Sequence, residues 1–182
     1  GMSDANRQWV ITAYTLAFAG LLLLGGRVSD FFGRKRALLI GLTGFALASA
    51  VGGAATSDTM LIASRAVQGA FGALLGPTAL ALLAITYVTP RDRSKAFAVY
   101  GAIGGGGSAL GLILGGLLTE YVSWRWCLYV NVPIAIAAGT AAWFIIKNDV
   151  RNPDTKFDFI GAALATGGLT SLVYGFSKAE TD

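Results

Sequence analysis

Gly26-Arg27-Val28-Ser29-Asp30-Phe31-Phe32-Gly33-Arg34-Lys35-Arg36 sets four cations, one acid and three small residues between two uncharged apolar runs, 9–26 before it and 37–55 after it. Each flanking run approaches the roughly 20 residues a helix needs to cross a hydrocarbon core of about 30 Å. Cations alone would be explained by the bias of basic residues toward the cytoplasmic side of a membrane. That bias explains neither Asp30 nor the paired glycines Gly26 and Gly33, so a tight charged hairpin between two spans reads as a gate.

Working outward, four further apolar runs follow at 60–88, 96–119, 127–146 and 159–176. They are continuously apolar and do not alternate as the strands of a lipid-facing barrel must. The expected fold class is therefore an all-α membrane protein with six transmembrane helices. Composition agrees, with 54% hydrophobic and 13% charged residues and a mean hydropathy of +0.62, outside the range of an ordinary soluble domain. The chain has no His and one cysteine, Cys127, so no metal site, cofactor site or intrachain disulfide is expected. Its net charge of +4 sits in short clusters between apolar runs, the arrangement that lipid topology requires and not a nucleic-acid surface. No cleavable signal peptide is visible, because Asp4 and Arg7 precede the first run in place of a clearly basic stretch.

Loop charges orient the spans. Arg27, Arg34, Lys35, Arg36, Arg91, Arg93, Lys95, Lys147, Arg151 and Lys156 fall on one side, and Arg7, Arg125 and Lys178 on the other. The first side is assigned to the cytoplasm of a plasma (inner) membrane, which puts both ends of the chain outside. The expected organisation is an external segment 1–8, spans through 9–146, a cytoplasmic loop 147–158, and a last helix with tail at 159–182.

Arg65, Gln68, Gly69, Gly72 and Gly76 recur at i, i+3, i+4, i+7 and i+11 in the third run and share one helix face. A charge at the centre of a bilayer costs about 2.5–3.5 kcal/mol on insertion scales, so this face is expected toward a protein interior or a watery cavity. Arg65 stands only five residues from the outer end of its run, and snorkelling to the interface is the competing reading. Pro77, next to Gly76, is expected to kink the helix. The fourth run repeats the spacing with Gly104, Gly107, Ser108, Gly111 and Gly115, a stripe suited to close helix packing. Residues 104–109 also satisfy the loose dinucleotide pattern G-x-G-x-x-A, but inside an apolar span and not between a strand and a helix.

Gly26-x-Val28-Ser29-Asp30-x-x-Gly33-Arg34-Lys35 resembles the signature loop between the second and third helices of the major facilitator superfamily, and Leu61-x-x-x-Arg65-x-x-Gln68-Gly69 resembles its fourth-helix motif. Gly107-x-x-x-Gly111-Leu112-x-x-Gly115-Gly116 resembles the fifth-helix antiporter motif, with Leu112 where the family has proline. Ser123-Trp124-Arg125-Trp126 with Asn131-Val132-Pro133, and Phe157-Asp158-x-x-Gly161, are similar to the fourteen-helix drug:proton antiporter branch. The resemblance runs from Trp9 to the end and implies that 9–146 corresponds to family helices two to six. The last run would be the first of two extra linker helices, with family helix one and the whole C-terminal transporter half lying outside the chain.

The resemblance implies a secondary transporter that exports small amphipathic organic substrates against protons across a lipid bilayer, with no catalytic residues. In that picture Gly26, Asp30, Gly33, Arg34 and Lys35 form the cytoplasmic gate. Arg65, Gln68 and Gly69 serve proton coupling and the cavity, Gly76 and Pro77 the kink, and Gly107, Gly111, Gly115 and Gly116 helix packing. Two other readings stay open, a non-transporting membrane scaffold and a half-size transporter that dimerises. An enzyme would need a nucleophile, acid pair or metal cluster within the spans, which Cys127, Asn131 and scattered Ser/Thr do not make.

Overall fold

Seven helices and no strand make up the described residues, 2–147 and 159–179, of this computed structural model. They are α1 (Asp4–Phe32), α2 (Arg34–Gly53), α3 (Asp58–Thr86), α4 (Pro90–Tyr121), α5 (Trp126–Tyr129), α6 (Asn131–Ile145) and α7 (Phe159–Ala179). The expected loop at 147–158, with Arg151 and Lys156, lies outside the described residues beyond Lys147. Among those residues, five helical stretches are long and apolar enough to cross a membrane, the fifth being Trp126–Ile145. The sixth apolar run is the helix α7, of 21 residues.

Local chemistry sets the boundaries. Ser3, Ser57 and Thr89 are N-caps whose hydroxyls accept from the N–H groups of Asn6, Met60 and Asp92, satisfying donors that the first helical turn leaves without intrahelical partners. Thr89 also donates to Asp92 Oδ2 at 2.6 Å. The external segment expected at 1–8 is already helical from Asp4. A larger correction concerns the charged stretch. Gly26 and Asp30 lie within α1, Arg34 and Lys35 open α2, and the expected hairpin loop reduces to the single residue Gly33. Gly33 has φ +90°, the only positive φ among the described residues. Its N–H donates to Ser29 O while its own carbonyl accepts from Ala37. A residue with a Cβ would be strained there, and this one conformation lets a helix end and another begin without a linker.

Three helices form the body. Small residues of α2 meet large ones of α3: Gly41 faces Leu75, Gly44 faces the Phe71 ring and Gly52 faces Ser64. Descending numbers against ascending ones make this pair antiparallel. α1 runs parallel to α3, with Tyr14 against Gly69, Phe18 against Gly72, and Gly25 against Ala73. Pro77 has no N–H to offer the carbonyl of Ala73, and that carbonyl is where a Cβ at Gly25 would collide. α3 continues through Pro77 as helix, with Thr78 Oγ1 donating to Leu74 O at 2.6 Å.

The fifth expected span is interrupted at Val130, between α5 and α6. Pro133 cannot supply a helical N–H to Tyr129, while Asn131 Nδ2 donates to Cys127 O. α5 closes the end of the body away from Gly33, where Leu128 joins Ala55 and Leu61 and the Tyr129 ring covers Gly53. α6 lies along α2, and α7 along α1 with Thr170 against Gly20. α4 is different. None of its residues is buried, and it meets the rest near its two ends.

Candidate functional site

The polar centre of the body is built on Arg65, in the second turn of α3. Its Nη1 donates to Gln68 Oε1, its Nε donates to the carbonyl of Val10 on α1 at 3.2 Å, and its guanidinium lies 4.4 Å from the centre of the Tyr14 ring. Gln68 Nε2 donates to Ser49 Oγ on α2 at 2.7 Å. Gln68 and Ser49 are 1% and 0% exposed, which keeps lipid and water from these two side chains, while Arg65 itself is half-buried. Three helices thus converge on one cation through hydrogen bonds and a cation–π contact.

The five-residue face of α3 lies against α1. α1 covers it: the backbone of Tyr14 sits at Gly69, the rings of Phe18 and Tyr14 at Gly72, and Leu22 beside Gly76. Tyr14 and Phe18 stack with centroids 5.9 Å apart. Gly69 is needed because the neighbour there is backbone, which cannot swing aside. α1 and Gln68 both engage the Arg65 side chain.

At the other end, Asp30 Oδ1 and Arg34 Nη2 are 3.4 Å apart across the Gly33 break, with side chains 47% and 26% exposed. Lys35 leaves this group. Its ammonium donates to Trp143 O at 2.7 Å and lies 5.4 Å from the Trp143 ring centre, tying α2 to the end of α6. Two more cations act in the same way, which the charge pattern alone did not reveal. Arg125 Nη1 donates to Gly53 O and Ala55 O at the end of α2, at 2.9 and 2.6 Å. Arg93 donates to Ala84 O and Tyr87 O at the end of α3, both at 3.1 Å. Each cation meets carbonyls that a helix terminus leaves without partners.

No neighbour fills the Cβ side of the glycine stripe on α4 among the described residues. A Cβ at Gly104, Gly107, Gly111, Gly115 or Gly116 would find open space among the described residues, so the packing expected of these residues is absent from this structure. Cys127 Sγ approaches Gly115 O and Thr119 Oγ1, both at 3.5 Å. No group of His, Cys, Asp and Glu side chains among the described residues is arranged to hold a metal ion. The sequence reading missed Ser49, Tyr14 and the Val10 carbonyl. No sequence signal pointed to Ser49, because the antiparallel register that sets Gly41 against Leu75, Gly52 against Ser64 and Ser49 against Gln68 is fixed by packing.

Comparison with known proteins places this geometry. Residues 1–176 match the family model described as Major Facilitator Superfamily. The chain is 54% identical over 181 residues to the puromycin resistance protein pur8 of Streptomyces alboniger, covering 100% of this chain and 36% of the relative. It is 44% identical to the cephamycin export protein CmcT of Amycolatopsis lactamdurans, covering 98% of this chain and 37% of that protein. It is 37% identical to the tetracenomycin C resistance and export protein of Streptomyces glaucescens, with 97% and 33% coverage. The chain spans about a third of the length of these relatives.

Proposed function

The chain belongs to the Major Facilitator Superfamily, and from that membership we propose that it forms most of the N-terminal half of a proton-coupled exporter of amphipathic drug-like compounds. The observation that carries the reading is the 54% identity to a puromycin resistance protein across the whole chain. Puromycin is accordingly the first compound to test. In this reading the remaining two-thirds of the protein supplies the other helical bundle, and substrate binds between two halves that rock against each other.

The two charged sites take different parts in that cycle. Asp30 lies in the last turn of α1, at the negative end of its own helix dipole, so an anion there is better matched to the N-terminus of a helix from the other half. It holds the cytoplasmic side shut, with Arg34 steadying its carboxylate and Gly33 keeping α1 and α2 close. Arg65 provides a fixed positive charge near the outer end, beside which a carboxylate from elsewhere in the protein stays ionised until substrate or a proton displaces it. In this reading the starts of α2 and α4, which carry Arg34 and Arg93, face the cytoplasm of a plasma membrane, the side that the loop charges favour.

The test uses the full-length protein in sealed vesicles with an imposed pH gradient and puromycin as substrate. Asp30→Asn and Arg65→Ala should each remove most gradient-driven transport at near-normal membrane abundance. Arg65→Lys should recover only part, because an ammonium lacks the guanidinium fork that engages Val10 O and Gln68 together. Full activity in both neutralised variants would refute the reading. Sidedness is read separately, with Cys127 replaced and single cysteines placed at Asp58 or Asp92. An impermeant thiol reagent on whole cells should label position 58 only, and selective labelling at 92 would invert the topology.

A further inference from the structure

We propose that Ser49 is a positioning residue that fixes the Arg65 guanidinium through Gln68. The inference rests on the reading of Arg65 as a coupling residue and adds a partner on a helix that carries no charge beyond its first turn.

Hydrogen-bond polarity makes the relay one-directional. The Ser49 hydroxyl donates to Phe45 O at 2.7 Å, which commits its single proton and leaves the oxygen lone pairs facing Gln68. Those lone pairs accept from Gln68 Nε2 at 2.7 Å. With its NH2 group held there, the Gln68 amide presents Oε1 to Arg65 Nη1. The reverse amide orientation would set NH2 against guanidinium, two donors face to face, and oxygen against a hydroxyl whose proton is already used. Ser49 therefore selects the amide orientation that Arg65 requires. Burial makes the selection strong: with Ser49 and Gln68 at 0% and 1% exposure, water cannot replace either partner, and a lost contact leaves a buried donor unpaired.

Removing the hydroxyl strips the Gln68 NH2 group of its buried partner and leaves the amide held by Arg65 alone, while Val10 O and Tyr14 still engage Arg65 from α1. The guanidinium is then held on one side and free on the other. Its charge stays in place but its direction is lost, so Ser49→Ala should slow coupled transport without weakening substrate binding.

The experiment uses full-length protein in sealed vesicles, with puromycin as the transported probe. Ser49→Ala should lower the maximal gradient-driven rate about tenfold, the upper end of the scale for one neutral hydrogen bond whose loss leaves a buried donor unpaired. KM should stay unchanged and the pH profile of the rate should shift. Added to Arg65→Ala, it should cause no further loss, because residues that act as a unit are not additive. A readout independent of substrate follows modification of Arg65 by phenylglyoxal, measured by peptide mass spectrometry, which should accelerate several-fold in Ser49→Ala. An unchanged rate, pH profile and modification rate in Ser49→Ala, while Arg65→Ala is inactive, would overturn the role of Ser49 and leave that of Arg65 standing. Normal transport by Arg65→Ala would instead overturn the coupling reading, and the transport role of Ser49 would fall with it.

Discussion

Two glycine-rich surfaces of this chain meet opposite fates. Gly41, Gly44 and Gly52 on α2, with Gly25 on α1 and Gly69 on α3, sit where a neighbouring leucine, ring, hydroxyl or carbonyl crowds the place of a methyl. Gly104, Gly107, Gly111 and Gly115 on α4 have a more regular spacing, and an added methyl at any of them would meet no atom among the described residues. Small residues permit close approach, but a partner must be present to use it. The packed seams are complete within the chain because α1, α2 and α3 supply both sides. The α4 stripe has one side only, in a chain that spans about a third of its relatives' length.

The sharpest way to break this contrast is a large residue at Gly69, which should lose most of the folded protein. A Cβ there falls on the carbonyl of Tyr14, and backbone cannot rotate out of the way. Gly69→Val should cost about 3 kcal/mol or more, the upper end of overpacking penalties. It should be visible as collapse of the monodisperse peak in detergent at normal transcript levels. Wild-type yield and melting temperature would mean that α1 does not approach α3 as described.

A second test separates a missing partner from a lipid-facing surface. Gly111→Leu should be neutral in the 182-residue chain, where the position faces open space. In a full-length exporter of the proposed kind it should lower the melting temperature and transport if the other transporter half packs against α4. Neutrality in both settings would assign this face to lipid.

How much of this was legible in the sequence depends on what apolar character encodes. The six runs located every long helix, since continuous apolarity over a membrane's thickness has few other outcomes. Arg65 and Gln68 were recognised as neighbours from i, i+3 spacing alone, and the structure joins them. Which glycine stripe is packed was not legible. In a soluble helix the buried face is the apolar one, whereas a membrane helix is apolar all round and its periodicity hardly distinguishes protein from lipid. The one-residue turn at Gly33 was read as a loop because charge was taken to mark loop, although a helix end in the interface tolerates charge equally well. Lys35, Arg93 and Arg125 counted as topology signals, and their bonds to helix-terminal carbonyls depend on tertiary neighbours that no local pattern reveals.

Those capping cations define a middle-sized effect. Arg125→Gln should leave the Gly53 and Ala55 carbonyls short of their charged donor and cost about 1–2 kcal/mol. Arg125 also stacks over Trp124, 4.7 Å from its ring centre, so Arg125→Lys should recover only part of the loss. A thermal melt of the purified chain that is unchanged by Arg125→Gln would show that the C-terminal end of α2 is held by Leu128 and Tyr129 without it.

The smallest effect has the opposite sign, which makes it the cleanest check on the contrast. Glycine inside a helix costs roughly 0.5–1 kcal/mol relative to alanine, because its unfolded backbone has more freedom to lose. Where a neighbour occupies the Cβ position that cost is outweighed, and Gly44→Ala, facing the Phe71 ring, should destabilise the chain. At Gly107 no atom lies within reach of an added Cβ, so the backbone term acts alone. Gly107→Ala in the 182-residue chain should therefore raise the melting temperature by one or two degrees, on the scale of a fraction of a kcal/mol. A fall at Gly107 comparable to that at Gly44 would mean that another helix already lies on α4 in solution, as in a dimer of the chain, and the difference between the two glycine surfaces would disappear.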